Sequence, residues 1–241
     1  MNKTLSIVFP AYNEEKTILQ TIYRTIKVLN ETGFSYEIII VNDGSRDRTR
    51  DVILNHNDGN IKLISYNVNV GKGHAIRQGF LNAKGKYVVF LDSDLDINVA
   101  QINIYLRALS KGDLIIASKL HPQSEVRVPF LRWFLSRLFN VFVRLFTGLN
   151  LRDTQTGLKA VRREALAPVF QVLSVRRFAF DVELLAVAQL YGVKIIELPV
   201  TLRLRNVNFS IREIFKMFID LLGVAYRLRI LQSYKKQLFS L

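Results

Sequence analysis

Two carboxylates one residue apart, Asp92 and Asp94, follow directly on the apolar run Tyr87-Val88-Val89-Phe90-Leu91, with Ser93 between them. At i and i+2 on a chain leaving a buried strand, the two can project to the same side. Mg²⁺ and Mn²⁺ are hard cations that prefer carboxylate oxygens, hold one or two of them, and complete their shell with water and substrate phosphates. The chemistry this pair could do is therefore to clamp a divalent cation against a phosphorylated substrate. Asp and Ser are also ordinary turn residues, so the tripeptide alone reads equally well as a solvated turn. The elements that position it must decide.

In the first half of the chain, short β-branched runs alternate with helical patterns: strands over 4–9, 36–41, 61–66, 87–91 and 113–118, and helices over 14–30, 46–56, 73–83 and 98–110. That alternation predicts an α/β fold with a mostly parallel sheet and helices on both faces. Glu37-Ile38-Ile39-Ile40-Val41 is apolar without alternation, as a strand covered on both faces should be. In such sheets, ligands bind beyond the carboxyl ends of the strands. The polar clusters Asn13-Glu14-Glu15, Asn42-Asp43-Gly44-Ser45 and Asp92-Ser93-Asp94 follow strands one, two and four, so they are expected to meet at one rim. Asn13 is also expected to cap the first helix.

The chain has 241 residues, no cysteine and three scattered histidines, which excludes disulfides and thiolate zinc sites. Net charge is +14, calling for a polyanionic partner: nucleic acid, an anionic membrane surface or phosphorylated substrates. The charge is localised. Segment 119–152 holds Lys119, Arg127, Arg132, Arg137, Arg144 and Arg152 against Glu125 alone, and a second basic region runs from Arg203 to Lys236. Both regions also carry large apolar side chains, which favours a membrane over nucleic acid.

Residues 129–147 read as a helix. At about 100° per residue, Phe134, Leu135, Leu138, Phe139, Phe142, Leu145 and Phe146 fall on one side, and Arg132, Ser136, Arg137, Asn140 and Arg144 on the other. Arginines every few residues forbid a transmembrane span, so an in-plane helix with its aromatics in the lipid is the expectation, beside an ordinary amphipathic helix packed on the core. Ser210 to Leu231 forms a second apolar-periodic segment that is interfacial, packed on its neighbour or part of a homo-oligomer contact. The organisation expected is one domain over 1–205, divided into 1–118 and 119–205, with a C-terminal helical extension over 206–241. The N-terminal segment runs into a strand without the long apolar core of a secretory signal, so the expected location is the cytoplasmic face of a membrane.

Five strings in order, Phe9-Pro10-Ala11-Tyr12-Asn13-Glu14-Glu15, Val41-Asn42-Asp43-Gly44-Ser45-Arg46-Asp47, Gly71-Lys72-Gly73-His74-Ala75, Leu91-Asp92-Ser93-Asp94 and Asp153-Thr154-Gln155-Thr156-Gly157-Leu158-Lys159, resemble the family-2 glycosyltransferases of the GT-A fold. Within that family the resemblance is to the polyprenyl-phosphate and dolichyl-phosphate sugar synthases. The string Arg177 to Leu185 and the later Glu197-Leu198-Pro199-Val200 look most like the glucosyl branch. The resemblance implies an inverting, metal-dependent transfer from a nucleotide-sugar to a lipid phosphate. UDP-glucose is the favoured donor, with GDP-mannose, a non-lipid acceptor or an inactive fold that binds membrane or nucleic acid as the alternatives.

The same resemblance assigns Pro10, Ala11, Tyr12, Glu14, Asp43, Lys72, Asp92, Ser93 and Asp94 to the nucleotide-sugar and Asp92, Asp94 and Asp96 to the metal. As an acceptor-only carboxylate, Asp43 can hold a donor of uracil or guanine. Lys72 stands between two glycines that would let a ligand approach the backbone at a helix N-terminus, although neither Walker A nor the dinucleotide fingerprint is present. Catalytic roles fall to Asp94, Lys72 and Asp153, the last as a base or as an orienting group that caps a turn. Arg132, Arg137, Arg152 and Arg177 are candidates for the lipid phosphate, because guanidinium forks match its oxygens. Asp181 and Glu183 are expected to support the wall of the site from a helix start.

Overall fold

The computed structural model describes residues 3–56, 58–177, 179–203 and 211–238, with the side chains at 132, 211–214 and 238 outside that description. Strands β1 (Leu5–Ala11), β2 (Tyr36–Asp43), β3 (Ile61–Tyr66) and β4 (Tyr87–Phe90) alternate with helices α1 (Ile18–Asn30), α2 (Thr49–Leu54) and α3 (Lys72–Asn82). Then come a 3-10 turn (Val99–Gln101), α4 (Ile102–Ala108), β5 (Leu114–Ala117), β6 (Glu125–Arg127) and α5 (Phe130–Thr147). The remainder is β7 (Lys159–Arg162), α6 (Arg163–Val172), α7 (Phe180–Leu190), β8 (Ile195–Leu198), β9 (Thr201–Arg203), α8 (Ile211–Ala225), a π-helical segment (Tyr226–Ile230) and α9 (Ser233–Leu238).

Seven strands form one sheet in the order β3-β2-β1-β4-β7-β5-β8, parallel except for β7, which runs antiparallel to both β4 and β5. β1 lies between β2 and β4, with Phe9 paired to Ile40 on one side and Val8 to Phe90 on the other. The chain leaves β1 toward β2 but reaches β4 by crossing back over the sheet from β3. Beyond the carboxyl ends of β1 and β4 the connections diverge, which opens a crevice there. β6 and β9 pair as a small separate ribbon.

Both faces of the sheet are covered. One apolar cluster joins Ile7, Phe9, Ile38 and Ile40 to Ile18, Ile22, Ile102 and Tyr105 on α1 and α4. The other joins Val8, Ile39, Val88 and Phe90 to α3, α5, α6, α7 and α8. Here Phe80 and Phe170 stack with ring centroids 3.7 Å apart. The C-terminal helices share this second cluster through Leu221 and Tyr234. No helix among the described residues is long and apolar enough to cross a membrane.

The structure corrects two local expectations. Asn13 does not cap α1, which begins at Ile18 after Thr17. It sits in the left-handed region at φ 58° and joins two loops: its backbone N–H donates to Ser45 Oγ (2.9 Å), and its Oδ1 accepts from the Arg46 N–H (2.8 Å). The second correction concerns α5, whose predicted faces are rotated. Phe139 and Val143 are buried in the core, Asn140 also turns inward to donate to the Leu151 carbonyl (3.3 Å), and Arg144 Nε reaches the same carbonyl (3.0 Å). The outward face carries Phe130, Leu131, Phe134, Leu138, Val141 and Leu145. The wheel failed because α5 is apolar on both sides, so periodicity alone could not say which side meets the sheet.

Burial separates the aromatics of α5. Phe139→Ala should cost about 3–5 kcal/mol through lost transfer energy and an unfilled cavity. Phe134→Ala, at an exposed position, should change stability by no more than about 0.5 kcal/mol. Urea unfolding of the two variants checks the assignment, and equal losses would refute it.

Candidate active site

A cleft of about 620 Å³ opens at the carboxyl ends of β1, β2 and β4. Its polar wall contains Pro10, Ala11, Tyr12, Glu14, Asp43, Lys72, Asp92, Ser93, Asp94 and Asp96, so the three strand-end clusters do meet at one rim. Their loops are tied together by their own polar groups. Ser93 Oγ donates to the Pro10 carbonyl (3.0 Å), and Thr21 Oγ1 donates to the Ser93 carbonyl (2.9 Å), which locks the end of β4 to β1 and α1. Glu14 and Glu15 donate their backbone N–H groups to Thr49 Oγ1 (2.8 Å) and Asp47 Oδ2 (3.1 Å).

Lys72 Nζ lies 2.6 Å from Asp92 Oδ1 and 2.8 Å from Oδ2. Burial works to lower the pKa of Lys72, but the Asp92 carboxylate, aided by Asp181 and Asp94, more than reverses this, so the ammonium stays charged. Asp94 is pushed up to about 7, first by burial and then by repulsion from Asp92, against a hydrogen bond from the Asp96 N–H. That hydrogen bond, 3.0 Å to Asp94 Oδ1, closes a tight turn with Leu95 at φ 64°. Opposite Asp92 stands Gly157: a Cβ there would lie 1.9 Å from Asp92 Oδ2, so only glycine leaves the carboxylate room.

Among the described residues, no group of three or more Asp, Glu, His or Cys side chains forms a ready-made cage for a metal. Asp96 lines the cleft but does not complete such a cage with Asp92 and Asp94. The donor set therefore amounts to a carboxylate pair on a ligand-sized cleft. That fits Mg²⁺ or Mn²⁺, which are usually bound by one or two carboxylates together with substrate phosphates.

Asp43 faces the cleft with both oxygens engaged, accepting from the Val70 and Gly71 N–H groups at 2.9 Å each. The glycines around Lys72 do permit a close approach, but of the protein itself. The Arg176 carbonyl lies 2.4 Å from where a Gly71 Cβ would be, and Phe180 Cβ equally close to that of Gly73. Asp153 sits behind the wall, 3% exposed, accepting from the Lys119 N–H (3.0 Å), Lys119 Nζ (2.9 Å), the Gln155 N–H (3.0 Å) and the Thr156 hydroxyl. Burial pulls its pKa upward, but Lys119 and these hydrogen bonds outweigh it and leave the pKa below the ordinary carboxylate value. Such a group orients Lys119 and the 155–157 wall, and is a poor proton acceptor.

Of the four arginines expected at the acceptor, Arg177 lines the cleft. Arg137 is exposed, with its guanidinium 4.2 Å from the centroid of the Trp133 ring. Arg152 is exposed outside the lining, and the side chain of Arg132 lies outside the described residues. Asp181 lines the cleft from the first turn of α7 and pairs with the buried Lys159 at 2.7 Å. Glu183, fully buried, accepts from the Ser174 and Val175 N–H groups at 3.0 and 2.8 Å, holding the loop that carries Arg177.

Sequence reasoning missed Lys119, Gln155, Thr156 and Gly157, and an apolar wall that includes Leu120, Val128, Trp133, Leu202 and Met217. The Asp153-to-Lys159 string was a signal for the first group, although only its aspartate received a role. Nothing local in the sequence marks the apolar wall, which is assembled from α5, α8, β9 and two loops.

The family model described as Glycosyl transferase family 2 matches residues 6–170. Among curated relatives, a dolichyl-phosphate beta-glucosyltransferase of Trichomonas vaginalis is 35% identical over 235 residues, covering 92% of this chain and 72% of that protein. A dolichyl-phosphate beta-glucosyltransferase of Dictyostelium discoideum is 35% identical over 218 residues, covering 83% of this chain and 66% of that protein. Among solved structures, glucosyl-3-phosphoglycerate synthase from Mycobacterium tuberculosis, in complex with Mn²⁺ and UDP-glucose, superposes with a TM-score of 0.70 at 21% identity, covering 93% of this chain and 78% of that one. At that identity the likeness establishes the GT-A-like fold.

Asp94 gives the site a pH signature. Unfolded, its carboxyl titrates at about 3.9; folded, it is pushed up to about 7. Between these values the folded chain holds an extra proton at this site, so the Asp94 contribution to stability falls as pH rises through this window and is flat above it. Asp94→Asn removes that loss. Measured by urea unfolding in EDTA, the variant should gain on the wild type between pH 5 and pH 8, and an unchanged difference would contradict the burial assigned to Asp94.

Proposed function

Because this chain belongs to glycosyl transferase family 2 and is a glycosyltransferase, we propose that it transfers glucose from UDP-glucose to the phosphate of a dolichyl or other polyprenyl phosphate at an anionic membrane surface. The observation that carries this reading is the composition of one cleft. Asp92, Asp94, Lys72 and Asp43 form a polar half suited to a nucleoside diphosphate, while Trp133, Met217, Val128 and Leu202, with Arg177 beside them, form an apolar and basic half suited to a phosphate on a hydrocarbon chain. The dolichyl-phosphate beta-glucosyltransferases among the relatives support the sugar and the lipid class, and the Mn²⁺ and UDP-glucose complex of the structural neighbour supports the donor and the metal.

In the reaction an oxygen of the lipid phosphate attacks the anomeric carbon as the bond from that carbon to the UDP oxygen breaks, which inverts the centre and releases UDP. A phosphate monoester has a second pKa of about 6, so at neutral pH the nucleophile is mostly dianionic and no strong base is required. This agrees with Asp153 being held ionised behind the wall. Asp92 and Asp94 would hold Mg²⁺ or Mn²⁺, and the chemistry supplied there would be positive charge for the departing nucleotide. Lys72, kept protonated, adds a second positive charge on the same side, and Arg177 offers a guanidinium fork to the acceptor. Positioning and electrostatics carry the rate.

The test is a panel of UDP- and GDP-sugars with a short polyprenyl phosphate, with Mn²⁺ or with EDTA. UDP-glucose with metal should give lipid-linked glucose. Asp94→Ala should reduce turnover by about 10²–10³-fold, the scale of losing a principal electrostatic group. Transfer from GDP-mannose in preference to UDP-glucose, or full activity in EDTA, would overturn the reading.

A further inference from the structure

A carboxylate that is to take a metal should be open, and Asp92 is not. Lys72 Nζ bridges both of its oxygens, 2.6 Å from Oδ1 and 2.8 Å from Oδ2. The Gly157 backbone stands against the same carboxylate, so close that a Cβ there would lie 1.9 Å from Oδ2. Asp94, by contrast, accepts a backbone N–H, that of Asp96, at 3.0 Å. The ammonium of Lys72 therefore sits where a divalent cation shared by Asp92 and Asp94 would need to bind. Two cations crowded on one carboxylate in a partly buried cleft repel each other strongly.

The ion pair is built so that it can open. Both side chains are 25% exposed, so the cleft reaches them. Lysine carries a compact charge on a flexible four-carbon stem with rotatable donors, and it can change partner without moving its helix. A second carboxylate waits nearby: Asp181 attracts the Lys72 ammonium next after Asp92, and the two residues line one small recess together with Gly157 and Lys159. Lys159 engages Asp181 through Oδ1 at 2.7 Å, which fixes that carboxylate in place at the edge of the cleft. A permanent structural bridge between Lys72 and Asp92 would instead leave the metal to Asp94 without Asp92.

We propose that Lys72 is a resident stand-in for the divalent cation: its ammonium neutralises Asp92 in the free protein and gives up that carboxylate, turning toward Asp181 and the diphosphate, when metal and nucleotide enter the cleft. The exchange rests on the metal and nucleotide reading proposed above. It makes metal alone a weak ligand, because the metal must displace Lys72. Nucleotide then strengthens metal binding beyond their direct contact, because the diphosphate offers Lys72 a new partner. By linkage the metal strengthens nucleotide binding by the same factor.

The test titrates Mn²⁺ into the full chain and into Lys72→Met, which keeps an apolar stem and loses the charge, without UDP and with saturating UDP. Bound metal is followed by electron paramagnetic resonance, and melting temperatures are recorded in EDTA and in Mn²⁺. Without UDP, Lys72→Met should bind Mn²⁺ about tenfold more tightly than the wild type, the scale of one charge-assisted hydrogen bond. UDP should strengthen its Mn²⁺ binding by a smaller factor than in the wild type. In EDTA the variant should melt lower, because Asp92 has lost its counter-ion, and Mn²⁺ should raise its melting temperature more than that of the wild type. Lys72→Arg, which grips a carboxylate with a guanidinium fork, should bind Mn²⁺ alone more weakly than the wild type, and it carries the test if Lys72→Met does not fold in EDTA. Equal affinity of Lys72→Met and the wild type for Mn²⁺ without UDP would overturn the proposal, as would unchanged or tighter binding by Lys72→Arg. A gain in Lys72→Met that is the same with and without UDP would also overturn it, since that is the mark of a fixed charge that never changes partner. UDP-strengthened Mn²⁺ binding that is identical in the wild type and Lys72→Met leaves the metal reading standing and removes the stand-in alone. No Mn²⁺ binding by the wild type even with UDP removes both.

Discussion

Asp92 and Asp94 are held close together at the end of a buried strand, where desolvation and repulsion from Asp92 both oppose the ionisation of Asp94. The surrounding structure answers that electrostatic problem. Lys72 neutralises Asp92 from the first turn of α3. The Asp96 N–H supports Asp94 within a turn that forces Leu95 into the left-handed region. Gly157 withdraws its side chain so that Asp92 can stay where it is. What remains is a carboxylate pair whose Asp94 resists ionisation in the free protein, and on the function proposed above a cation arriving with a diphosphate is the partner that would relieve it. An elevated carboxylate pKa in a cleft marks a candidate functional site.

The same problem recurs one layer back. Lys159 sits in a central strand, where a buried ammonium is expensive unless paired, and Asp181 pairs with it at 2.7 Å while also facing the cleft. Glu183, two residues along α7, fixes the loop before Arg177, and the Tyr234 hydroxyl of α9 donates to it. The C-terminal helices therefore do more than cover the core. They brace the loop that brings Arg177 to the cleft, and through α8 they contribute Met217 to its apolar wall.

The first half of the architecture was legible because β1, β2 and β4 are largely apolar runs that each end in a polar cluster, and the helices between the strands carry buried apolar positions. That pattern brought the ends of β1, β2 and β4 to a single rim. The second half hid itself for specific reasons. β7 contains Lys159, whose charge is cancelled only by a residue 22 positions away. α7 is buried from Phe180 to Ala188, so it has no amphipathic period to read. α6 carries Pro168 in its interior, which argues against a helix until the tertiary structure overrides it. Asn13 looked like a helix cap because Asn favours that position, whereas its tolerance of positive φ was what the loop required. In α5 the error was of face, since an apolar surface on both sides gives periodicity no preferred direction.

The central claim is that Asp92 and Asp94 hold a divalent cation together with a nucleoside diphosphate, and a binding measurement tests it without any acceptor or turnover. Mn²⁺ is titrated into the protein in the presence and absence of UDP and followed by electron paramagnetic resonance, for the wild type and for Asp92→Asn/Asp94→Asn. The account predicts a bound Mn²⁺ signal in the wild type that strengthens with UDP and is lost in the double variant at the same concentrations. Identical isotherms for the two proteins, both responding to UDP, would contradict it.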